Sequence, residues 1–312
     1  MRVSTYNKKI PLLVISGPTA SGKSRWALEL AQDYDLEILS ADSRQVYRQM
    51  DIGTAKVTRE ERACVPHHLI DLVDPDQPFS VADFVDLAHP LIEEIHGRGR
   101  LPCVVGGTGL YIQALVGGLA DVPTGDETLR RELHLKEQQE GAGTLHRLLG
   151  DVDPEAAERI HPRNLVRIVR ALEVYRLSGR PLSQLTREHR FSERRYNALS
   201  MAPRLERSLL YERIDQRVVE MFRMGLLDEV QRLLEQYDPD LKAMKTLGYR
   251  ETIDYLHGHL SYEEMISLIQ THTRQYAKRQ LTWLRKDPEM FWVDSCNESG
   301  TVKKYIDDLI QR

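Results

Sequence analysis

The sequence predicts an α/β protein whose parallel-sheet core is interrupted by a mostly helical insertion, and three observations predict this class. Short apolar runs alternate with helical patterns over the first third of the chain. A glycine-rich phosphate-loop (P-loop) motif lies between the first apolar run and the first helix. The strand signal disappears after about Gly118. Because 312 residues suit about two domains, we predict a P-loop core over residues 1–120 and 200–312 and a helical, arginine-rich insertion over residues 121–199.

The order of the elements follows from hydrophobic periodicity. Strands are predicted at residues 12–15, 37–40, 69–72, 102–105 and 290–293. Helices of the core are predicted at residues 22–34, 80–98 and 261–286. The insertion is almost wholly helical in pattern, with breaks at Gly141, Gly143, Pro154, Pro162 and residues 179–181. Strand, helix and strand at this spacing indicate parallel pairing through crossover helices.

Composition excludes a uniformly basic nucleic-acid binder, a disordered chain and a membrane protein. The chain has 43 Lys and Arg against 47 Asp and Glu, a net charge of -4, so any nucleic-acid surface must be local. Hydrophobic residues at 41% and charged residues at 29% are ordinary for a globular protein, and the apolar run near the N-terminus is too short to span a bilayer. Cys64, Cys103 and Cys296 are widely spaced, which predicts a reducing compartment and no zinc site, with Cys103 in the core. We therefore expect a soluble, cytoplasmic protein.

The P-loop motif predicts a site for a polyphosphate. Its residues are Gly17, Pro18, Thr19, Ala20, Ser21, Gly22, Lys23 and Ser24. The glycines let backbone N–H groups converge on phosphate oxygens, Lys23 adds a positive charge, and the Ser24 hydroxyl can bind Mg²⁺. The motif does not specify ATP, because any diphosphate would satisfy the same donors, so it leaves the reaction open.

Two further segments follow predicted strands and should meet the P-loop at the same edge of the sheet. Asp42 follows the second strand; we interpret it as a general base, with a helix N-cap or a Mg²⁺ partner as the alternatives. A second glycine cluster, residues 106–111, brings Thr108 to the same crevice. Adjacent side chains such as His67 and His68 do not easily converge on one metal ion, so these two histidines are predicted to be part of a loop.

Seven motifs in order resemble the bacterial tRNA dimethylallyltransferases: GPTASGKS, SADSRQVYRQMDIGTAK, HHLID, GGTGLY, RIVRALEVYRLSGRPLS, LGYRE and TRQYAKRQLTWLR. The resemblance runs from residue 15 to residue 285. It implies transfer of a dimethylallyl group from dimethylallyl diphosphate to N6 of the adenine 3′-adjacent to the anticodon. The implied partner is the anticodon stem-loop of tRNAs that read codons beginning with U, and diphosphate is released.

The resemblance also assigns roles to residues. It makes residues 17–24 the diphosphate site, Asp42 the base, residues 42–45 part of the pocket for the target adenine, and places Thr108 beside the departing oxygen. Lys23, whose charge would stabilise the departing diphosphate, is the third predicted catalytic residue, with Mg²⁺ predicted at Ser24. The implied tRNA contacts are Asp42, Ser43, Arg44, Gln45, Thr108, Arg130, Val166, Arg167, Ile168, Val169, Arg170, Lys278, Arg279 and Gln280. Gln49, Val57 and residues 163–165 depart from the family's usual residues. We expect a monomer without the C-terminal zinc finger of eukaryotic relatives.

Two basic runs support an RNA partner. Residues 159–195 contain ten Arg against three acidic residues, and residues 271–286 contain five Lys or Arg and no acid. Arg163, Arg167 and Arg170 are predicted to share one helix face. Three alternatives stay open at this point: a P-loop small-molecule or nucleotide kinase, an adenylate isopentenyltransferase acting on a mononucleotide, and an RNA-binding scaffold with a vestigial P-loop.

Overall fold

The structure is a computed structural model, which describes residues 9–189, 192–294 and 298–311. Cys296, one of the three cysteines, and Arg190, part of the basic run at residues 159–195, lie outside the described residues. The chain divides into two compact units, residues 1–116 with 195–312 and residues 117–194. The first unit is the P-loop core and the second is the helical insertion.

The core is built on one parallel sheet. The strands of the described residues are β1 (Pro11–Ser16), β2 (Leu36–Ala41), β3 (His67–His68), β4 (Leu101–Gly106), β5 (Asn197–Pro203) and β6 (Phe291–Val293). Their order in the sheet is β3-β2-β4-β1-β5-β6, and every pairing is parallel. Strands β1, β2 and β4 are buried almost throughout, as expected for a parallel sheet that is covered on both faces.

Helices account for most of the remaining structure. They are α1 (Lys23–Leu30), α2 (Arg59–Cys64), α3 (Val81–Gly97), α4 (Gly109–Gly117), α5 (Glu127–Glu140), α6 (Thr144–Val152), α7 (Pro154–Arg159), α8 (Leu165–Ser178), α9 (Leu182–His189), α10 (Arg207–Arg223), α11 (Leu226–Leu234), α12 (Tyr249–Leu256), α13 (Tyr262–Leu284) and α14 (Ser299–Gln311). Helices α5 to α9 belong to the insertion. No helix within the described ranges is both long and apolar enough to cross a bilayer.

The predicted starts of the two long core helices are confirmed, because each has a capping box. Ser80 precedes α3 and accepts a hydrogen bond from the backbone N–H of Asp83, whose carboxylate accepts one from the backbone N–H of Ser80. Ser261 and Glu264 form the same arrangement at the start of α13. The burial of Cys103 in β4 is also confirmed.

The third predicted strand, at residues 69–72, is wrong. Leu69 and Asp71 have φ values of +63° and +57°, a left-handed conformation that cannot continue a pleated strand. The strand in this region is instead β3, in which His67 pairs with Ile38, so the prediction that the two histidines are loop is wrong as well. Gln49 has a φ of +64°, a left-handed conformation that favours glycine. The resemblance expects glycine at this position, and the backbone keeps the left-handed conformation although the residue is glutamine.

Strand β5 is not predicted from the sequence pattern, so the predicted insertion of residues 121–199 extends too far. Residues 197–199, assigned to the insertion, lie in β5 and pair with the start of β1, with Pro11 opposite Asn197 and Ile15 opposite Met201. The segment is poor in β-branched residues, and its pairing partner rather than its own propensity makes it a strand.

The insertion has a hydrophobic core of its own. Among its buried residues are Leu133, Leu145, Leu149, Ile168 and Leu172, from α5, α6 and α8. Because these leucines and isoleucines pack against one another, the insertion buries apolar surface within residues 117–194.

Candidate active site

The carboxyl ends of β1, β2 and β4 lie at one edge of the sheet, and a cavity of about 460 Å³ opens there. Several residues predicted as site residues line it together: Thr19, Lys23, Ser24, Asp42, Ser43, Arg44, Gln45, Arg279 and Gln280. The structure therefore joins the P-loop, the segment after β2 and the C-terminal half of α13 in one place.

The P-loop has polar groups without protein partners beside this cavity, which Thr19, Lys23 and Ser24 line. Gly22 is the N-cap of α1 with a φ of +84° and no side chain to cap the helix, so the first N–H groups of α1 remain available to an anion. The Ser21 hydroxyl is buried and has no hydrogen-bond partner among the described residues. Both features are those of a site for phosphate oxygens.

Lys23 lies at the start of α1 and lines the cavity. Burial lowers the pKa of its ammonium group to about 8; the carboxylate of Asp42 acts in the opposite direction, and the guanidinium of Arg217 lowers the pKa further. Its amine donates one long hydrogen bond of 3.4 Å to the carbonyl oxygen of Pro18. A bound anion would therefore place negative charge next to the Lys23 ammonium group, for which the protein itself provides few partners.

Sequence reasoning missed Arg217, which α10 brings into the same cavity. Burial lowers the pKa of this arginine, and Asp42 acts to raise it. No hydrogen bond or ion pair of its guanidinium is found within the residues that the structure describes. One local signal existed: Arg217 is adjacent to Val218 and three residues from Ile214 on the buried face of α10, where an arginine is unusual.

Charge around the cavity is strongly unbalanced. Among the described residues that line it, the cationic side chains are Lys23, Arg44, Arg217, Lys245 and Arg279, and the carboxylate is that of Asp42. A concave site with this excess of positive charge favours an anionic ligand.

Asp42 directly follows β2 and keeps one carboxylate oxygen available. Its Oδ1 accepts a hydrogen bond of 2.9 Å from the backbone N–H of Arg44, which closes a turn over the next two residues. The residues after Asp42 form turns and not a helix, so the N-cap interpretation is wrong. Within the described residues, Oδ2 has no hydrogen-bond partner and can accept a proton or a hydrogen bond from a ligand.

Gln45 lines the cavity, whereas Thr108 is not among the residues that line it and contacts the segment after β2. The Thr108 hydroxyl oxygen accepts a hydrogen bond of 3.0 Å from the backbone N–H of Ser43. No hydrogen bond that this hydroxyl donates is found among the described residues, so its hydrogen can be donated to a ligand. The Gln45 amide accepts a hydrogen bond from Ser40 and donates two, to the carbonyl oxygens of Thr54 and Ala55. Gln45 thus fixes a neighbouring loop, which leaves little of its amide for the tRNA contact predicted from the resemblance.

The predicted tRNA residues of α13 have different environments. Lys278 and Arg279 are exposed, and the Arg279 guanidinium lies 5.8 Å from the centre of the Tyr276 ring. Gln280 is only 8% exposed and bonds to Thr19 and Gly107 within the protein. The tRNA contact assigned to the Gln280 side chain is therefore not supported, because both ends of its amide already have hydrogen-bond partners within the protein.

The predicted tRNA residues of the insertion also divide into two groups. Val166, at 78% exposure, and Arg167 lie on the surface of α8, whereas Ile168 and Val169 lie in the core of the insertion. The side chains of Ile168 and Val169 therefore cannot contact tRNA as predicted. Because α8 begins only at Leu165, Arg163 precedes the helix and does not share a helical face with Arg167 and Arg170.

Arg130 and Arg170 are held by one buried carboxylate. Both form ion pairs with Glu173, whose side chain is fully buried and also accepts a hydrogen bond from the backbone N–H of Asp126. Burial alone would raise the pKa of Glu173, but the hydrogen bonds from Arg170, Asp126 and Arg130 outweigh it and lower the pKa. The two arginines therefore have a structural partner whether or not RNA is bound.

The donors near Ser24 are compatible with magnesium. Ser24 and Asp42 both line the cavity and offer oxygen ligands beside the predicted diphosphate site. Mg²⁺ usually takes few protein ligands and completes its shell with phosphate oxygens and water. No group of three or more His, Cys, Asp or Glu side chains that could hold a metal ion occurs in the described part of the chain.

Comparisons with known proteins agree on one family. The sequence pattern of the IPP transferase family matches residues 45–287, and that of the isopentenyl transferases matches residues 10–67. The chain is 52% identical over 295 residues to tRNA dimethylallyltransferase 1 of Pelobacter propionicus, covering 94% of this chain and 96% of the relative. It is 53% identical over 287 residues to tRNA dimethylallyltransferase of Geobacter sulfurreducens, covering 92% of each.

Solved structures show the same similarity. The tRNA isopentenylpyrophosphate transferase of Bacillus halodurans has a TM-score of 0.72 and 42% identity and covers 97% of both chains. A eukaryotic dimethylallyltransferase acting on tRNA has a TM-score of 0.73 and 31% identity, over 89% of this chain and 70% of that one. The fold and the sequence thus point to the same group of proteins.

Proposed function

The chain belongs to the IPP transferase family, and we propose that it transfers a dimethylallyl group from dimethylallyl diphosphate to tRNA, releasing diphosphate. The acceptor is N6 of the adenine 3′-adjacent to the anticodon, in tRNAs that read codons beginning with U. One observation carries this proposal: Lys23, Arg217 and Asp42 share a single cationic cavity beside the P-loop. The site therefore offers anion-binding groups and a proton acceptor to the two substrates at once.

The chemistry follows from these groups. The electron pair of the allylic C–O bond leaves with the diphosphate, and the N6 lone pair of adenine forms the new bond to the same carbon. Lys23 and Arg217 stabilise the negative charge that grows on the leaving group, and the free hydrogen of Thr108 can be donated to the departing oxygen. Mg²⁺ bound at Ser24 would add positive charge at the same phosphates.

Asp42 completes the reaction as proton acceptor. N6 becomes acidic as it forms its new bond, and the available Oδ2 of Asp42 takes the proton that leaves it. The cavity lies at the sheet edge and has the volume of a small-molecule site, so the target adenine must leave the anticodon-loop stack to enter it. We propose that the exposed Lys278 and Arg279 of α13 and Arg167 of α8 bind tRNA phosphates, and that the protein acts as a monomer in the cytoplasm.

One assay separates this function from the alternatives. In the first reaction, labelled dimethylallyl diphosphate is offered with tRNA or with AMP. In a parallel reaction, ATP is offered with small acceptors. Label on the tRNA alone supports the proposal. Label on AMP would favour an adenylate isopentenyltransferase, phosphate transfer from ATP would favour a kinase, and tRNA binding without any transfer would favour a scaffold.

The role of Asp42 is tested by Asp42→Asn. The amide keeps the oxygen that accepts from the Arg44 N–H, so we expect tRNA affinity to stay within a few-fold of the wild type. Loss of the proton acceptor should lower single-turnover transfer by about 10²–10⁴-fold. Turnover above about a tenth of the wild-type value would remove Asp42 from the role of base.

A further inference from the structure

The side chain of Gln280 connects the two glycine-rich loops of the site. Its Oε1 accepts a hydrogen bond of 2.9 Å from the backbone N–H of Thr19 in the P-loop. Its Nε2 donates a hydrogen bond of 2.9 Å to the carbonyl oxygen of Gly107, in the loop after β4. One planar amide therefore joins segments that are more than eighty residues apart in the chain and that follow neighbouring strands of the sheet.

The absence of a side chain at residue 107 makes room for this arrangement. A Cβ atom built on Gly107 would lie 2.3 Å from Gln280 Nε2 and 3.0 Å from the carbonyl oxygen of Gly17. The first distance is shorter than real Cβ atoms show and the second is tighter than most, so a side chain at residue 107 would displace the Gln280 amide from its place against the Gly107 backbone. The third residue of the contact, Thr19, lines the cavity together with Lys23.

We propose that Gln280 is a positioning residue for the diphosphate: it holds the P-loop in register with the loop after β4 and with α13. The proposal rests on the proposed function, because it assigns a diphosphate to the P-loop. Gln280 acts through Thr19 and Gly107 and touches neither tRNA nor the reacting atoms. Its neighbours Tyr276 and Arg279, one turn or less away on α13, line the same cavity, so the helix and the P-loop form one wall.

The chemistry of the amide explains why glutamine is suited to this position. The contact needs one acceptor for an N–H group and one donor for a carbonyl oxygen, which a side-chain amide supplies from a single planar group. An ionised carboxylate is acceptor-only and would face the Gly107 oxygen without a hydrogen. A protonated carboxyl group, in contrast, has one C=O and one O–H and reproduces both hydrogen bonds.

Gln280→Met, which removes both hydrogen bonds, and Gln280→Glu, which can restore them only when protonated, therefore test the proposal. Gln275 lies on the same helix and is exposed, so Gln275→Met and Gln275→Glu are the matched controls. For each protein, we would measure the affinity for inorganic diphosphate, the KM for dimethylallyl diphosphate, and tRNA affinity without the diphosphate, between pH 6 and pH 8. Circular dichroism and the melting temperature establish that each variant is folded.

We expect Gln280→Met to weaken diphosphate binding roughly tenfold at every pH, the loss that corresponds to one hydrogen bond out of place. Gln280→Glu should bind as poorly or worse at pH 8 and recover toward the wild type as the pH falls to 6. Neither variant should change tRNA affinity by more than about twofold, and both controls should behave as the wild type. A merely structural role would lower the melting temperature and the tRNA affinity together with the diphosphate affinity, whereas the positioning role changes the diphosphate measurements alone.

Two results would overturn the proposal. The first is unchanged diphosphate affinity in folded Gln280→Glu at pH 8, and the second is weakened tRNA binding with normal diphosphate affinity, which would make Gln280 an RNA contact. If Gln280→Met fails to fold, the pH series on Gln280→Glu still decides the question. Failure of the proposed function looks different: a wild-type protein that binds diphosphate but modifies no tRNA would refute the function and leave the diphosphate measurement on Gln280 intact.

Discussion

The charge on Lys23 depends on its surroundings more than that of an ordinary lysine. An exposed lysine stays protonated to about pH 10. In the cavity, burial lowers the pKa of Lys23 to about 8, although Asp42 acts to raise it, and Arg217 adds to the lowering. Without a ligand, Lys23 therefore loses its positive charge as the pH rises through about 8.

This shift predicts a pH-dependent affinity for diphosphate. Below about pH 8 the ammonium group is charged and attracts the anion; above it, the neutral amine does not, and binding must take up a proton. We expect the affinity of the wild type for inorganic diphosphate, measured by calorimetry, to fall with rising pH between about 8 and 10.

Lys23→Met is the matched control for this measurement. It should bind diphosphate weakly at all pH values and show no step near pH 8. Changes in the ionisation of the ligand itself affect both proteins equally, so the difference between them reports Lys23. A wild-type affinity that runs parallel to that of Lys23→Met across this range would contradict the lowered pKa.

The site residues also differ in whether their role could be predicted from the sequence. Lys23 and Asp42 could be predicted because each lies at a fixed place after a strand, and a strand end is a local feature of the sequence. Arg217 could not, because it lies in α10, about 175 residues after Asp42, and only the packing of α10 brings it to the cavity. Gln280 was identified as a site residue, but its role could not be predicted because its two partners are backbone atoms of distant loops.

At the scale of elements, helix α8 carries two kinds of arginine. Arg167 is exposed on its surface, and no ion pair of its guanidinium is found within the described ranges. Arg170 is paired with the fully buried Glu173 and donates a hydrogen bond to the carbonyl oxygen of Pro123. The first is suited to binding phosphates, whereas the second helps to hold the helix in the insertion.

Alanine substitutions separate these two roles. Arg167→Ala should weaken tRNA binding and reduce the slope of log affinity against log salt by roughly 0.7–0.9, one phosphate contact, with unfolding free energy unchanged within about 0.5 kcal/mol. Arg170→Ala should lower the unfolding free energy by about 1–3 kcal/mol, because Glu173 stays buried with one partner fewer.

Salt titrations of tRNA binding and urea unfolding of both variants check this pair. One contrary outcome is that Arg170→Ala unfolds at the same urea concentration as the wild type and yet reduces the slope of log tRNA affinity against log salt by about one. The ion pair with Glu173 would then not stabilise the fold, and Arg170 would bind an RNA phosphate. If Arg167→Ala kept the wild-type slope, α8 would not contact RNA phosphates through this residue.

At the scale of the whole molecule, the chain divides into two units with separate hydrophobic cores. Residues 117–194 interrupt the core between α4 and β5, yet the leucine and isoleucine side chains of α5, α6 and α8 pack among themselves. A segment that buries its own apolar residues should not need the rest of the chain to form its helices.

We therefore expect residues 117–194 to fold when expressed alone. Circular dichroism should show a helical spectrum and a cooperative urea transition, with an unfolding free energy of at most about 3–5 kcal/mol for a unit of this size. Leu145→Ala is the control: Leu145 is fully buried, and the loss of about 2–5 kcal/mol should be enough to unfold the fragment. A random-coil spectrum for the unaltered fragment would show that its helices depend on the core.

Features that depend on neighbours in the chain could be predicted before the fold was known. The P-loop, the capping boxes at Ser80 and Ser261, the apolar strands β1, β2 and β4, and the position of Asp42 after a strand all follow from residues within a few positions of each other. Local sequence also indicated a helical insertion, because no strand pattern interrupts it.

Features that depend on distant partners could be found in the folded protein but not in its sequence. Strand β5 exists because β1 offers it a ladder of hydrogen bonds, and residues 69–72 are not a strand because two left-handed residues end the pairing at β3. The same holds for the environment of Arg217, the burial of Gln280, and the pairing of Arg130 and Arg170 with Glu173. Burial and hydrogen-bond partners are set by which surfaces meet in three dimensions, and no short stretch of sequence contains that information.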